Sequence, residues 1–134
     1  MYIEIAAISC QGARDYNEDS YGHWQNERFT ACLVADGAGG EGGGDVASQL
    51  ACETMLRLFK SNPTLNGEVL RSMLESTNES ILAQQSSGSR QAKMRTTIVF
   101  LVLDTQTDQA MWVHAGDSRL YHFRHRQLIE RSID

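Results

Sequence analysis

Proline is nearly missing from this chain, cysteine is sparse, and no apolar run is long. Each scarcity excludes something. The one proline, Pro63, leaves no proline-rich linker, and at 134 residues the chain is long enough for one domain with a real core and too short for two. Cys10, Cys32 and Cys52 are odd in number, widely spaced and without a CxxC pair, so they read as buried reduced thiols rather than as a disulfide frame or a metal knot. No stretch approaches the roughly 20 apolar residues of a membrane span. Met1 to Ile5 has neither the basic start nor the apolar middle of a signal peptide, which predicts a soluble cytoplasmic protein. Positive charge is also short: 12 Lys and Arg against 17 Asp and Glu leave a formal net charge of -5. Nucleic acid and anionic membranes both require a cationic face, so neither is an expected partner. The acids remain available for cations.

What is present is organised around the stretch Phe29 to Ser48, which runs from an apolar strand through a single acid, Asp36, into a glycine loop and then a helix. Before it, Asp19 to Trp24 reads as a strand and Gln25 to Arg28 as a polar turn. Tyr2 to Ser9 alternates loosely and predicts an earlier strand, making an antiparallel meander of three. After it, Val46, Leu50, Ala51, Met55, Leu58 and Phe59 recur at helical spacing, and Pro63 stops that helix. A second helix, Gly67 to Gln85, carries Val69, Leu70, Met73, Leu74, Ile81 and Leu82 on one face. Thr96 to Leu103 reads as a central strand covered on both faces, Asp104 to Asp108 as a turn, and Ala110 to Ala115, Arg119 to Arg124 and Gln127 to Glu130 as further strands. Strands, two helices, then strands predict an α+β fold of antiparallel sheets with helices packed outside.

The loop Gly37-Ala38-Gly39-Gly40-Glu41-Gly42 is literally G-x-G-x-x-G between a strand and a helix, the pattern of a dinucleotide site. Three features count against that reading. Asp36 and Glu41 would face a pyrophosphate without compensation, the position that should hold a ribose-binding acid falls in or just after a helix, and a meander precedes the element. Divalent metal is the better reading. Mg²⁺ and Mn²⁺ bind carboxylates, carbonyls and water, and Asp36 with the Gly37 carbonyl offers the first two side by side. Glu18 and Asp19 add charge from another strand start, and Arg14 supplies a planar fork suited to phosphate. Solvated acidic turns stand beside this reading on chemistry alone.

Spacing separates the two. Gln11 to Asp19, Val34 to Gly40, Arg95-Thr96-Thr97 and Val113 to Tyr121 together resemble, in order and separation, the motifs of the metal-dependent (type 2C) serine/threonine protein phosphatases, and they cover essentially the whole chain. The resemblance implies a four-layer α-β-β-α sandwich. It implies a centre of two Mn²⁺ or Mg²⁺ ions, with a third weaker position, and a metal-activated water that attacks phosphoserine or phosphothreonine in a phosphoprotein, itself the product of a serine/threonine kinase. By the same resemblance, Asp36 bridges the metals and the Gly37 carbonyl ligates one of them. Glu18 reaches a metal through water, Asp19 orders metal-bound water, Arg14 binds phosphate and Asp117 lies near the third position. Thr96 and Thr97 are expected to pack beneath the site, Ser118 and Arg119 to be structural.

The departures carry consequences. Ala38 stands where some members have a histidine that protonates the leaving group, Arg95 replaces a usual glycine, and His114 a usual asparagine. His114, His23, His122 and His125 are expected to be solvent-facing or satisfied strand histidines. The chain is shorter than the family's catalytic domain, in which later segments carry two further metal-binding aspartates. It is therefore expected to be one domain over residues 1–134, the N-terminal part of such a catalytic domain. The sandwich should then be incomplete at its C-terminal side, with sheet edges open to self-association. A non-catalytic phosphoprotein-binding or regulatory module is the alternative.

Overall fold

The computed structural model describes residues 1–13, 16–39, 42–85 and 92–134. Strands β1 (Asp19–Gln25), β2 (Phe29–Ala38), β3 (Arg95–Thr96), β4 (Ile98–Asp104) and β5 (Gln109–Ala115) form one sheet in the order β1-β2-β4-β5, with β3 continuing beside β2. All its pairings are antiparallel. Helices α1 (Gly44–Ser61) and α2 (Gly67–Gln85) separate β2 from β3, and β6 (Tyr121–Arg124) pairs with β7 (Gln127–Arg131) in a hairpin of its own. The fold is α+β with antiparallel sheets, as the sequence predicts.

Period-two alternation assigns the two faces of the sheet. In β2, Phe29, Ala31, Leu33 and Ala35 are buried, while Val34 and Asp36 are exposed. Residues directly opposite in an antiparallel pair share a face, so Phe100 and Val102 lie on the buried side with Leu33 and Ala31. Helix α1 presents to that side a row at four-residue spacing, Ala47, Ala51, Met55 and Phe59, each at most 1% exposed. Small residues near the start let the helix approach the strand ends, and Phe59 fills the wider end. Its ring meets Trp24, Phe29 and Phe100 edge-on at centroid distances of 5.9, 6.1 and 5.3 Å. Helix α2 covers α1 and β5 through Leu70 and Met73.

Arg28 ties the far end of the sheet. Its Nε and Nη2 donate to Asp104 Oδ1 and Oδ2 at 3.0 and 2.8 Å, and the Gln106 N–H donates to Oδ1 at 2.9 Å. Asp104 is therefore the buried last residue of β4, 1% exposed, rather than part of a turn.

Three expectations are corrected. Tyr2 to Ser9 forms no ladder among the described residues, and Tyr2 and Ile8 are 86% and 93% exposed. Ile5 to Ala7 instead borders a cleft over the outer sheet face with Tyr21, Val34 and Leu120; alternation alone supplies no strand partner. β4 is central, yet its outer face is less covered, with Leu101 and Leu103 half-buried. The strand expected from Arg119 begins at Tyr121, because the Leu120 N–H donates to Ser132 Oγ at 2.9 Å and not to a ladder carbonyl.

Candidate functional site

Asp19 lies directly opposite Asp36 across β1 and β2, on the face turned away from the helices. Directly opposed side chains on adjacent strands have Cβ atoms about 4.5–5.5 Å apart, where like charges repel. Asn17 sets the approach to β1: its Oδ1 accepts the Asp19 N–H at 3.0 Å and its Nδ2 donates to Ser9 Oγ at 2.7 Å. Glu18 is held by its main chain. Its carbonyl accepts Ser48 Oγ from α1 at 2.6 Å and the Gly37 N–H from β2 at 3.1 Å. Ser48 is fully buried and also hydrogen-bonds Ser20 Oγ at 2.9 Å.

The Glu18 side chain lies against the first turn of α1, where a Cβ on Gly44 would land on its carboxylate. Negative charge is favoured there by the helix dipole. Gly37 is packed so closely between Glu18 and Gly44 that a Cβ would fall 2.7 Å from the Glu18 carbonyl oxygen and nearer still to the Gly44 carbonyl. Strand end, turn and helix start thus meet on main-chain atoms.

Asp36 joins two recesses. With Glu18 and Asp19 it borders one beside Tyr16 and Asn17, of about 240 Å³. With Glu18, Gly37, Thr97 and Asp117 it lines another of about 490 Å³. Four of the predicted acids are therefore brought to one region, and Gly37 lines it. Among the described residues, no three His, Cys, Asp or Glu side chains are grouped to hold a metal ion on their own. Arg14 lies outside the described residues.

Thr97 does more than pack. Its hydroxyl accepts the Asp36 N–H at 3.1 Å, and its own N–H donates to the Asp36 carbonyl at 2.9 Å. Arg95, opposite Ala38 in the β2–β3 pair, lines the larger recess. Sequence reasoning left it without a role, and only the pairing of β3 with β2 reveals its position. His114 corrects an expectation: its Nδ1 is buried without a hydrogen-bond partner among the described residues. Its place in β5 opposite Val99 faces it to the outer sheet side, with no polar neighbour in the ladder.

A five-stranded antiparallel sheet backed by two helices, with acids at one end of its outer face, defines a class of oxygen-donor site suited to hard cations. Comparison with known proteins narrows this. The sequence profile of the family described as protein phosphatase 2C matches residues 9–131, and the chain belongs to that family, as a bacterial-like type 2C member.

The serine/threonine phosphatase stp of Listeria innocua is 32% identical over 126 residues, covering 87% of this chain and 49% of that protein. PstP of Mycobacterium tuberculosis is 31% identical over 138 residues, covering 100% of this chain and 25% of that protein. A solved catalytic domain of PstP in complex with two manganese ions superposes with a TM-score of 0.75 at 33% identity, covering 92% of this chain and 52% of that one. The chain thus spans about half the length, or less, of these curated relatives. Among the described residues, no helix is long and apolar enough to cross a membrane.

Proposed function

We propose that this chain is the N-terminal part of a metal-dependent phosphatase that hydrolyses phosphoserine and phosphothreonine in proteins. The observation that carries the reading is Asp36, placed opposite Asp19 and bordering the same recesses as Glu18 and Asp117. Four carboxylates in one region repel a phosphate dianion and one another, so the site needs cations before it can accept its substrate. The donor set fits Mn²⁺ or Mg²⁺, which take oxygen ligands.

Asp36, Glu18, Asp19 and the Gly37 carbonyl would hold two such ions, and Asp117 would border a third, weaker position. When bound, the ions supply Lewis acidity and a water acidic enough to act as nucleophile near neutral pH. The remaining work belongs to the chain. Arg14 offers a two-pronged guanidinium to the phosphoryl oxygens. Arg95, on the wall of the recess, adds positive charge where a phosphorylated segment enters. Ala38 has no proton to give, so the leaving alkoxide takes its proton from elsewhere. Relatives named as serine/threonine phosphatases, one of them solved with two manganese ions, support the reading. The partner is then a phosphoprotein and, at one remove, the kinase that modified it.

The test is Mn²⁺-dependent release of phosphate from a phosphothreonine peptide by the complete natural protein that contains this chain, with Asp36→Asn beside it. Turnover that requires Mn²⁺ and disappears in the variant is the expected result. Phosphopeptide binding without turnover in the complete natural protein would instead favour a non-catalytic binding module.

A further inference from the structure

The register of β2 runs without a shift from Val34 opposite Val99 to Gly37 opposite Thr96, which puts Thr97 across from Asp36. In a regular antiparallel ladder, a hydrogen-bonded pair exchanges both main-chain bonds. Here the Thr97 N–H donates to the Asp36 carbonyl, but the Asp36 N–H is met by the Thr97 hydroxyl. The Thr97 carbonyl accepts Thr96 Oγ1 at 2.8 Å. A side chain thus stands in for a rung of the sheet at the acid that borders both recesses.

The same hydroxyl is hydrogen-bonded to Ser118 Oγ. The Thr97 methyl meanwhile presses on Gly116, whose φ of +91° suits glycine and where a Cβ would fall 2.7 Å from Thr97 Cγ2. Ser118 and Gly116 flank Asp117. One residue therefore touches the backbone of Asp36 and both neighbours of Asp117, acids 81 positions apart in the chain.

We infer that Thr97 is a positioning residue, which holds Asp36 and the Gly116–Ser118 segment in one fixed relation through its hydroxyl and thereby sets the cation geometry of the recess between them. Only the last clause rests on the metal-site reading above. A valine at this position keeps the branched shape but offers no acceptor to the Asp36 N–H, while serine keeps the hydroxyl and loses the methyl.

The experiment compares wild type, Thr97→Val, Thr97→Ser and Ser118→Ala in the full chain. Amide exchange at Asp36 is followed by NMR without metal, and Mn²⁺ binding by calorimetry. In Thr97→Val the Asp36 amide should exchange about tenfold faster, as expected for loss of one hydrogen bond. Mn²⁺ affinity should fall by about 10- to 100-fold, as for lost outer-shell partners of a metal site. Thr97→Ser should restore both. Ser118→Ala should weaken Mn²⁺ binding while the Asp36 amide stays protected.

Wild-type protection and affinity in Thr97→Val would overturn the inference, and so would a serine variant as impaired as the valine one, since the methyl alone would then matter. Should wild type bind no Mn²⁺, the exchange measurement alone decides whether the hydroxyl ties Asp36. Should Thr97→Val not fold, Ser118→Ala and Thr97→Ser decide it.

Discussion

Gly37→Ala separates close packing from local propensity, because the two predict opposite signs. Alanine in place of a strand glycine restricts the unfolded chain and on propensity alone should stabilise by about 0.5–1 kcal/mol. The added methyl, however, would fall 2.7 Å from the Glu18 carbonyl oxygen and still closer to the Gly44 carbonyl. Both obstacles are main chain, so no flexible side-chain end can swing away. Overpacking of this kind costs about 1–3 kcal/mol, and the rigid neighbours place it at the upper end.

The Gly37 N–H bond to the Glu18 carbonyl lies in the same contact and is strained with it. The net expectation is a loss of about 2 kcal/mol, or about 8 °C in melting temperature at roughly 4 °C per kcal/mol for a domain of this size. Circular dichroism melts of wild type and variant at one pH measure it. Mn²⁺ titration of the two proteins reads the displacement of Glu18 and Asp36, and affinity should fall with stability. A melting temperature equal to or above wild type would refute the reasoning, since strand end, turn and helix start would then not meet at Gly37.

Acid unfolding tests the Arg28–Asp104 pair. The Arg28 guanidinium, donating two hydrogen bonds, holds the Asp104 carboxyl down at about 2, with the Gln106 N–H and Thr107 side chain adding to the effect. Because the folded value lies below the unfolded one, the stabilisation is complete above about pH 4 and is lost as pH falls toward 2. Urea midpoints should therefore drop through that window in wild type and drop less steeply in Asp104→Asn; equal slopes would remove the pair from the acid response. Thiol labelling tests the burial pattern. Cys10 is exposed, burial raises the Cys32 thiol, and burial with the charge of Glu53 pushes Cys52 up to about 12. Mass spectrometry after mild alkylation near neutral pH should find Cys10 modified first and Cys52 last; comparable rates at Cys10 and Cys52 would contradict the placement of α1.

Where a pattern is periodic and local, the chain could be read directly. Helix α2 runs over Gly67–Gln85, the span its apolar face and the preceding Pro63 define. β1 ends at Gln25 and β2 begins at Phe29, on either side of the polar turn. The segment Tyr2 to Ser9 also alternates, yet forms no strand among the described residues, because a strand needs a partner and alternation is silent about partners. Asp104 reads as the start of a turn because acids are common there. Its burial follows from Arg28, 76 positions earlier, which local sequence cannot show. The acids of the site were legible as residue types in a spaced series. Two threonines after an arginine suggest packing, whereas a hydroxyl that replaces a ladder rung becomes visible only when β3 and β4 are set beside β2.

This difference bears on how the acids are kept together. Asp19 and Asp36 share a cross-strand position, and Glu18 borders the same recesses, an arrangement that repulsion alone would spread. The structure blocks that relief through the main chain: Ser48 and Gly37 hold the Glu18 carbonyl, Asn17 holds the Asp19 amide, and Thr97 holds Asp36 on both its N–H and its carbonyl. None of these bonds uses a carboxylate oxygen, so each secures an acid's position through its main chain. Fixed carboxylates with mutual repulsion are a stored cost of folding, which a divalent cation would relieve under the proposed reading. A backbone that spread the acids apart would lower that cost and, by the same movement, lose the geometry on which that reading depends.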